Sequence, residues 1–229
     1  MNPFSDLFFL VFPEICAACG NSLWNYEEVI CTSCNYHLPR TNFHLDDENQ
    51  VSRSFWGRAR VEAAGAYLYF NKGNKVQKLI HQLKYKGRRD VGVFIGKQYG
   101  LYLKKTPAFK TVECIIPVPL HKKKLKMRGY NQSEAFADGL AISLGVSVDT
   151  TSFIRSISTE TQTRKSRFRR WQNVSEMFAV TDPSLLEGKH VLLVDDVITT
   201  GATMEACIQV LSAIPGIKVS LAAIAFANH

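Results

Sequence analysis

The sequence lacks any run that could span a membrane. The apolar stretch at residues 8–12, FFLVF, is five residues long, where a spanning helix needs about 20. No basic flank precedes it and no small-residue cleavage pattern follows, so it is not read as a secretory signal. There is no internal repeat and no low-complexity tract. Cysteine is limited to six residues, four of them in two C-x-x-C pairs, a usage that points to metal rather than to disulfides and to the cytoplasm as the expected compartment. Acids are missing from residues 121–130, which carry five positive charges, and nearly missing from residues 155–170, with six positive and one negative. These two segments hold more than the whole net charge of +8. The basic character is therefore local, as phosphate groups or a nucleic acid would require, or else two solvated faces.

What is present is the composition of a folded globule. Of 229 residues 46% are apolar and 21% charged, enough for one large domain or one domain with a small appendage. Residues 1–40 read as a separate unit, 41–59 as a polar linker and 60–229 as the main domain. In the first unit, residues 7–12 are expected as a short apolar helix. Two knuckles follow, Cys16-x-x-Cys19 and Cys31-x-x-Cys34. Four thiolates in this arrangement surround one tetrahedral Zn²⁺ and leave no open position, so the metal would be structural. An iron–sulfur cluster and a redox dithiol are the alternatives. His37 reads as a surface residue, and Cys114 and Cys207 as small buried ones.

The main domain alternates strand and helix patterns. Strands are expected at 60–70, 112–118, 178–180, 191–196 and 217–226, and helices at 75–85, 91–103, 131–144 and 204–212, with an extended stretch over 146–157 and a short helix over 164–173. In the second strand two prolines should end the ladder near Ile116. A basic loop, Lys122 to Arg128, then leads into a helix with Asn131 and Glu134 as a capping box. Short β–α connections predict an α/β fold: a parallel sheet with helices on both faces.

Residues 191–203, VLLVDDVITTGAT, organise the rest. The Val-rich run reads as a buried parallel strand with Asp195 and Asp196 at its C-terminal end, the edge where such sheets bind ligands. Thr199, Thr200, Gly201, Ala202 and Thr203 read as a tight turn into a helix, whose free N–H groups favour a phosphate. Two carboxylates for sugar hydroxyls beside a phosphate cradle suit a phosphorylated sugar. A 5-phosphoribosyl 1-pyrophosphate (PRPP) donor also needs cations for its pyrophosphate. Lys84, Lys122, Lys124 and Arg128 are the candidates, with Lys86 or Arg88 as further ones. Mg²⁺ would be bridged by substrate oxygens and water. Catalysis of pyrophosphate displacement is mostly electrostatic.

The stretch 191–203 resembles the PRPP motif of type I phosphoribosyltransferases. The wider chain resembles the ComF/GntX subfamily in its four cysteines, Lys84-Tyr-Lys-Gly87-Arg88, Pro117-Val-Pro119, Arg128-Gly-Tyr-Asn-Gln132, Thr161-Gln162, and Arg170-x-x-Asn173 with Phe178. That resemblance implies that Asp195 and Asp196 are the catalytic acids, that the Arg128 loop is the pyrophosphate loop, and that Gln162 and Arg164 lie on a mobile loop covering the site. It also implies a link to uptake of transforming DNA. Two functions stay open: a phosphoribosyl transferase with an unknown acceptor, and a non-catalytic PRPP-sensing protein that binds single-stranded DNA or the uptake machinery. A receiver domain, which also begins with an acid pair, is excluded because only 33 residues follow Asp196.

Overall fold

The computed structural model describes residues 13–71, 73–156 and 177–227. Its centre is a five-stranded sheet. The strands are β1 (Ala64–Phe70), β2 (Cys114–Pro117), β3 (Ser147–Val148), β6 (His190–Ile198) and β7 (Lys218–Ala227), in the order β1-β7-β6-β2-β3. Every pairing in it is parallel, as the β–α alternation predicts. A separate antiparallel pair joins β4 (Phe153–Arg155) to β5 (Phe178–Val180).

The strand–helix pattern was legible because both faces of the central strands are apolar and fully covered. One face packs under α3 (Lys75–Tyr85), α4 (Arg89–Leu103) and α6 (Gln132–Leu144) through Leu192, Val194, Ala222 and Ile224. The other packs under α7 (Ala202–Leu211) through Val191, Leu193, Leu221 and Ala223. Helices α4 and α6 approach backbone to backbone: a Cβ on Gly96 would overlap the carbonyl oxygen of Phe136 and lie 2.9 Å from the Cα of Gly139.

Several expectations change in detail. Strand β6 does not end at the acids. It runs on through Ile198 because β7 continues beside it, Ile198 pairing with Phe226. Strand β2 includes Pro117, at its last position, where a missing N–H breaks no bond; Val118 N then donates to Val194 O at 2.9 Å. The basic segment expected as a loop is a helix, α5 (Lys122–Arg128). His121 Nδ1 caps it by accepting from Lys123 N, and Gly129, at φ 80°, ends it. The expected capping box is not formed. Asn131 caps α6 by accepting from Ser133 N at 3.1 Å, and Glu134 is only a first-turn acid.

Residues 41–59, expected as a linker, pack into the core. Asn49 caps α2 (Gln50–Arg53), accepting from Val51 N and Ser52 N while its amide donates to Ala64 O. Val51 and Phe55 are fully buried in the cluster that covers the α7 face. Their apolar positions are too few to show a period, so polar neighbours masked them. The cysteine segment, with its short helix α1 (Thr32–Tyr36), likewise shares a core with the main domain. Cys16, Ile30, Cys34 and Leu38 join the cluster of Val76, Leu79 and Leu83. Residues 39–41 also pair with the free edge of β1, through Thr41 N to Tyr67 O and Tyr69 N to Pro39 O. The expected helices over 7–12 and 164–173 lie outside the described residues.

Helix propensity alone would have Gly96→Ala stabilise α4 by about 1 kcal/mol. The closeness of α6 reverses the sign. We expect a loss of about 1–3 kcal/mol from overpacking, measured by urea unfolding with an unchanged m-value.

Candidate functional site

The site is built where the strands stop unevenly. The β2–β6 ladder ends with Pro117 opposite Val194, one residue short of the acids, while β7 stays paired with β6 beyond them. Asp195 and Asp196 thus keep one neighbouring strand and are open on the β2 side. The start of α6 reaches into that gap. Asn131 Nδ2 donates to Val118 O at 3.0 Å, which fixes the helix on the end of β2, and Ser133 Oγ donates to Asp195 Oδ1 at 2.8 Å.

Strand alternation separates the two carboxylates. Asp196, buried on the α3 side, pairs with Lys84 Nζ at 2.9 Å. Asp195 lines a cavity of about 40 Å³ together with residues 197–204. Burial pushes the Asp195 carboxyl up, the neighbouring Asp196 charge adds to this, and together they outweigh the Ser133 hydroxyl, the Asp196 N–H and Lys84, so the group titrates at about 7. Thr199 and Thr200 are exposed, and Gly201, at φ 74°, turns the chain into α7. That helix is ten residues long, and its first N–H groups lack intrahelical acceptors.

The expected cations separate into two groups. Arg128 packs with the end of α3: its guanidinium lies over Tyr85, 5.4 Å from the ring centroid, and Nη1 donates to Gln132 Oε1 at 2.5 Å. Its buried Nε has no partner among the described residues. The hydroxyl of Tyr130 donates to Leu83 O, tying the same turn to Lys84's helix. Lys122 and Lys124 are exposed on α5 and form no ion pair among the described residues. Gln162 and Arg164 lie outside the described residues. Sequence reasoning missed Ser133, hidden at the second position of a helix. It also missed Phe55 and Arg58, which lie in a segment read as a linker.

The four cysteines come together. Their sulfurs lie within 4.8 Å of one another, and Cys19 and Cys31 are 3.9 Å apart. Tetrahedral zinc–thiolate bonds would place sulfurs about 3.8 Å apart. Backbone amides already point at them: Cys31 N donates to Cys16 Sγ at 3.3 Å and Cys34 N to Cys31 Sγ at 3.4 Å. Burial opposes a Cys16 thiolate, but the amides of Cys31, Cys19 and Ala18 prevail and bring it to about 7. Burial, the Cys31 and Cys19 sulfurs and the Cys16 charge push Cys34 up to about 12. Four thiolates at once thus require a cation among them, and the group could hold a metal such as zinc. A larger cavity, about 410 Å³, lies between this segment and α3 and shares no lining residue with the cavity at the acids.

Residues 131–229 match the phosphoribosyl transferase domain family. That span holds Ser133, both acids and the 199–203 loop, and leaves Lys84, Arg58 and the four clustered cysteines outside. The DNA utilization protein YhgH of Escherichia coli (strain K12) is 28% identical over 86% of this chain and 83% of its own length. Competence protein ComFC of Bacillus subtilis (strain 168) is 24% identical over 86% of this chain and 78% of its own. Among solved structures, the glutamine phosphoribosylpyrophosphate amidotransferase of B. subtilis aligns with a TM-score of 0.42 and 22% identity, over 62% of this chain and 30% of that one. No helix among the described residues is long and apolar enough to cross a membrane.

The raised Asp195 fixes the sign of a pH effect. A carboxyl held at about 7 in the fold, against 3.8 ordinarily, is disfavoured once ionised, so its contribution to stability falls as pH rises from about 4 through 7. Asp195→Asn should therefore stabilise the protein in the absence of Mg²⁺ at pH 8 and have little effect at pH 4. Urea unfolding at the two pH values measures this; an equal effect at both would contradict the raised carboxyl.

Proposed function

We infer that the chain is a ComF-like protein of the phosphoribosyltransferase type, and that it binds PRPP with Mg²⁺ and transfers the phosphoribosyl group to an acceptor. One observation carries the reading. Two acids, a lysine ion-paired to one of them and a glycine-turned helix start meet on one sheet edge.

In this reading the amides of Thr199, Thr200, Gly201, Ala202 and Thr203 hold the 5-phosphate at the start of α7. Asp195 and Asp196 accept hydrogen bonds from the ribose hydroxyls and lie near the positive charge that grows on the ring as pyrophosphate leaves. Lys84 and Arg128 face the pyrophosphate. Lys122 and Lys124, one turn or more along α5, would join only when the substrate's second phosphate reaches that helix. The site's carboxylate oxygens suit Mg²⁺, which would supply charge neutralisation of the leaving group. Gln162 and Arg164 would lie on the covering loop. The cysteines hold one structural zinc, and their role ends in packing against α3. The relatives' names, DNA utilization protein and competence protein, favour a second reading, in which PRPP is sensed and single-stranded DNA or uptake machinery is the partner.

Calorimetry should give PRPP binding in Mg²⁺ that Asp195→Asn with Asp196→Asn abolishes while the circular dichroism spectrum is preserved. Unchanged affinity in that variant would remove the assignment. Pyrophosphate release from PRPP with one member of a pool of nucleobases and amines supports transfer, and tight binding with no release across the pool supports sensing. For the cysteines, one zinc per chain by atomic absorption is expected, with loss of both metal and solubility in Cys31→Ser. Iron in place of zinc would assign a cluster instead.

A further inference from the structure

Behind the phosphate loop stands a pair of residues that the PRPP motif does not contain. Phe55, almost wholly buried, fills the space beside Gly201: a Cβ there would lie 3.0 Å from its ring. Three residues on, Arg58 reaches both the turn and the helix that follows it. Its Nη1 donates to Thr200 O at 3.4 Å and to Ser54 O at 2.9 Å, and its Nη2 pairs with Glu205 of α7. Glu205 is buried, with its side chain 10% exposed. Among the described residues, Arg58 provides the one side-chain hydrogen bond from outside the loop to the backbone of residues 199–201.

Two physical needs meet here. A loop whose N–H groups must converge on an anion binds more weakly if binding itself has to order it. A carboxylate in the first turns of a helix also repels an anion arriving at that helix's start. Arg58 answers both, since one guanidinium holds the Thr200 carbonyl and neutralises Glu205. We propose that Arg58, seated by Phe55, is a positioning residue that preorders the 199–201 turn and cancels the Glu205 charge, so that the start of α7 accepts a phosphate monoester. The proposal rests on the PRPP reading for its ligand, but its effect on the loop is independent of ligand.

The test uses the full chain, with Arg58→Ala, Arg58→Lys and Arg58→Ala combined with Glu205→Gln. The last variant removes the buried charge that Arg58→Ala leaves unpaired, and it keeps the question open if the single variant folds poorly. In Arg58→Ala, amide exchange at residues 199–203 should speed up by about tenfold, and affinity for ribose 5-phosphate should fall by about tenfold. Affinity for Mg²⁺-pyrophosphate should change by less than about twofold, because that ligand's residues lie on α3 and α5. Glu205→Gln in the Arg58→Ala background should recover part of the ribose 5-phosphate affinity, and Arg58→Lys should fall between wild type and Arg58→Ala. Unchanged exchange at 199–203, or equal losses for both ligands, overturns the proposal while leaving the PRPP reading in place. Wild-type protein that binds neither ligand overturns the PRPP reading, and the phosphate role of Arg58 with it.

Discussion

The unequal length of neighbouring strands is the constraint on which this structure turns. A parallel sheet satisfies its backbone groups only while each strand has a partner on both sides. Strand β6 loses β2 after Val194 and keeps β7 to Ile198. Over that interval one side of β6 must be satisfied by something other than a strand. The Asp195 carboxylate does this for the Asp196 N–H, at 2.8 Å, while the start of α6 holds both edges of the gap: Asn131 the end of β2, and Ser133 that same carboxylate. A polar edge in an otherwise apolar sheet follows directly, and with it two carboxylates that are held in place yet reachable.

The charges on that edge are arranged unevenly. Asp196 has a lysine against it, and Asp195 has a hydroxyl, an amide and a negative neighbour. Two adjacent carboxylates cannot both ionise cheaply when only one is paired. The unpaired one is pushed up until a cation or a set of hydroxyl donors arrives. Placing the acids on opposite pleats also divides their tasks. One faces Lys84 and the α3 helix, and the other faces the turn that leads into α7. A sugar lying across the end of β6 would meet both.

The sequence made the sheet legible because apolar runs bounded by turns have few other readings, and 191–203 placed acids and turn in one stretch. Helices α3 and α4 were found nearly to the residue from their spacing. What escaped was everything that depends on distant neighbours. Whether residues 122–128 form a loop or a helix is decided by His121 and Gly129 at its ends, against a run of lysines that repel one another. The strand beyond Asp196 exists because β7 is long. Phe55 and Arg58 act on a turn more than 140 residues away in sequence, and their own segment has the composition of a linker. No local period marks a residue whose partner is supplied by another part of the chain.

The cysteine segment gains meaning from the same geometry. It buries Cys16, Ile30 and Leu38 against Val76, Leu79 and Leu83 of α3, and its trailing residues pair with the free edge of β1. Helix α3 then carries Lys84, one residue past that apolar stripe, to Asp196. A segment of this size cannot hold its shape by burial alone, so the shape against which α3 packs depends on what ties the four sulfurs together. Under the zinc reading, metal binding would stabilise the α3 seat and, through it, the position of the lysine at the acids, although the metal itself has no open coordination position for chemistry.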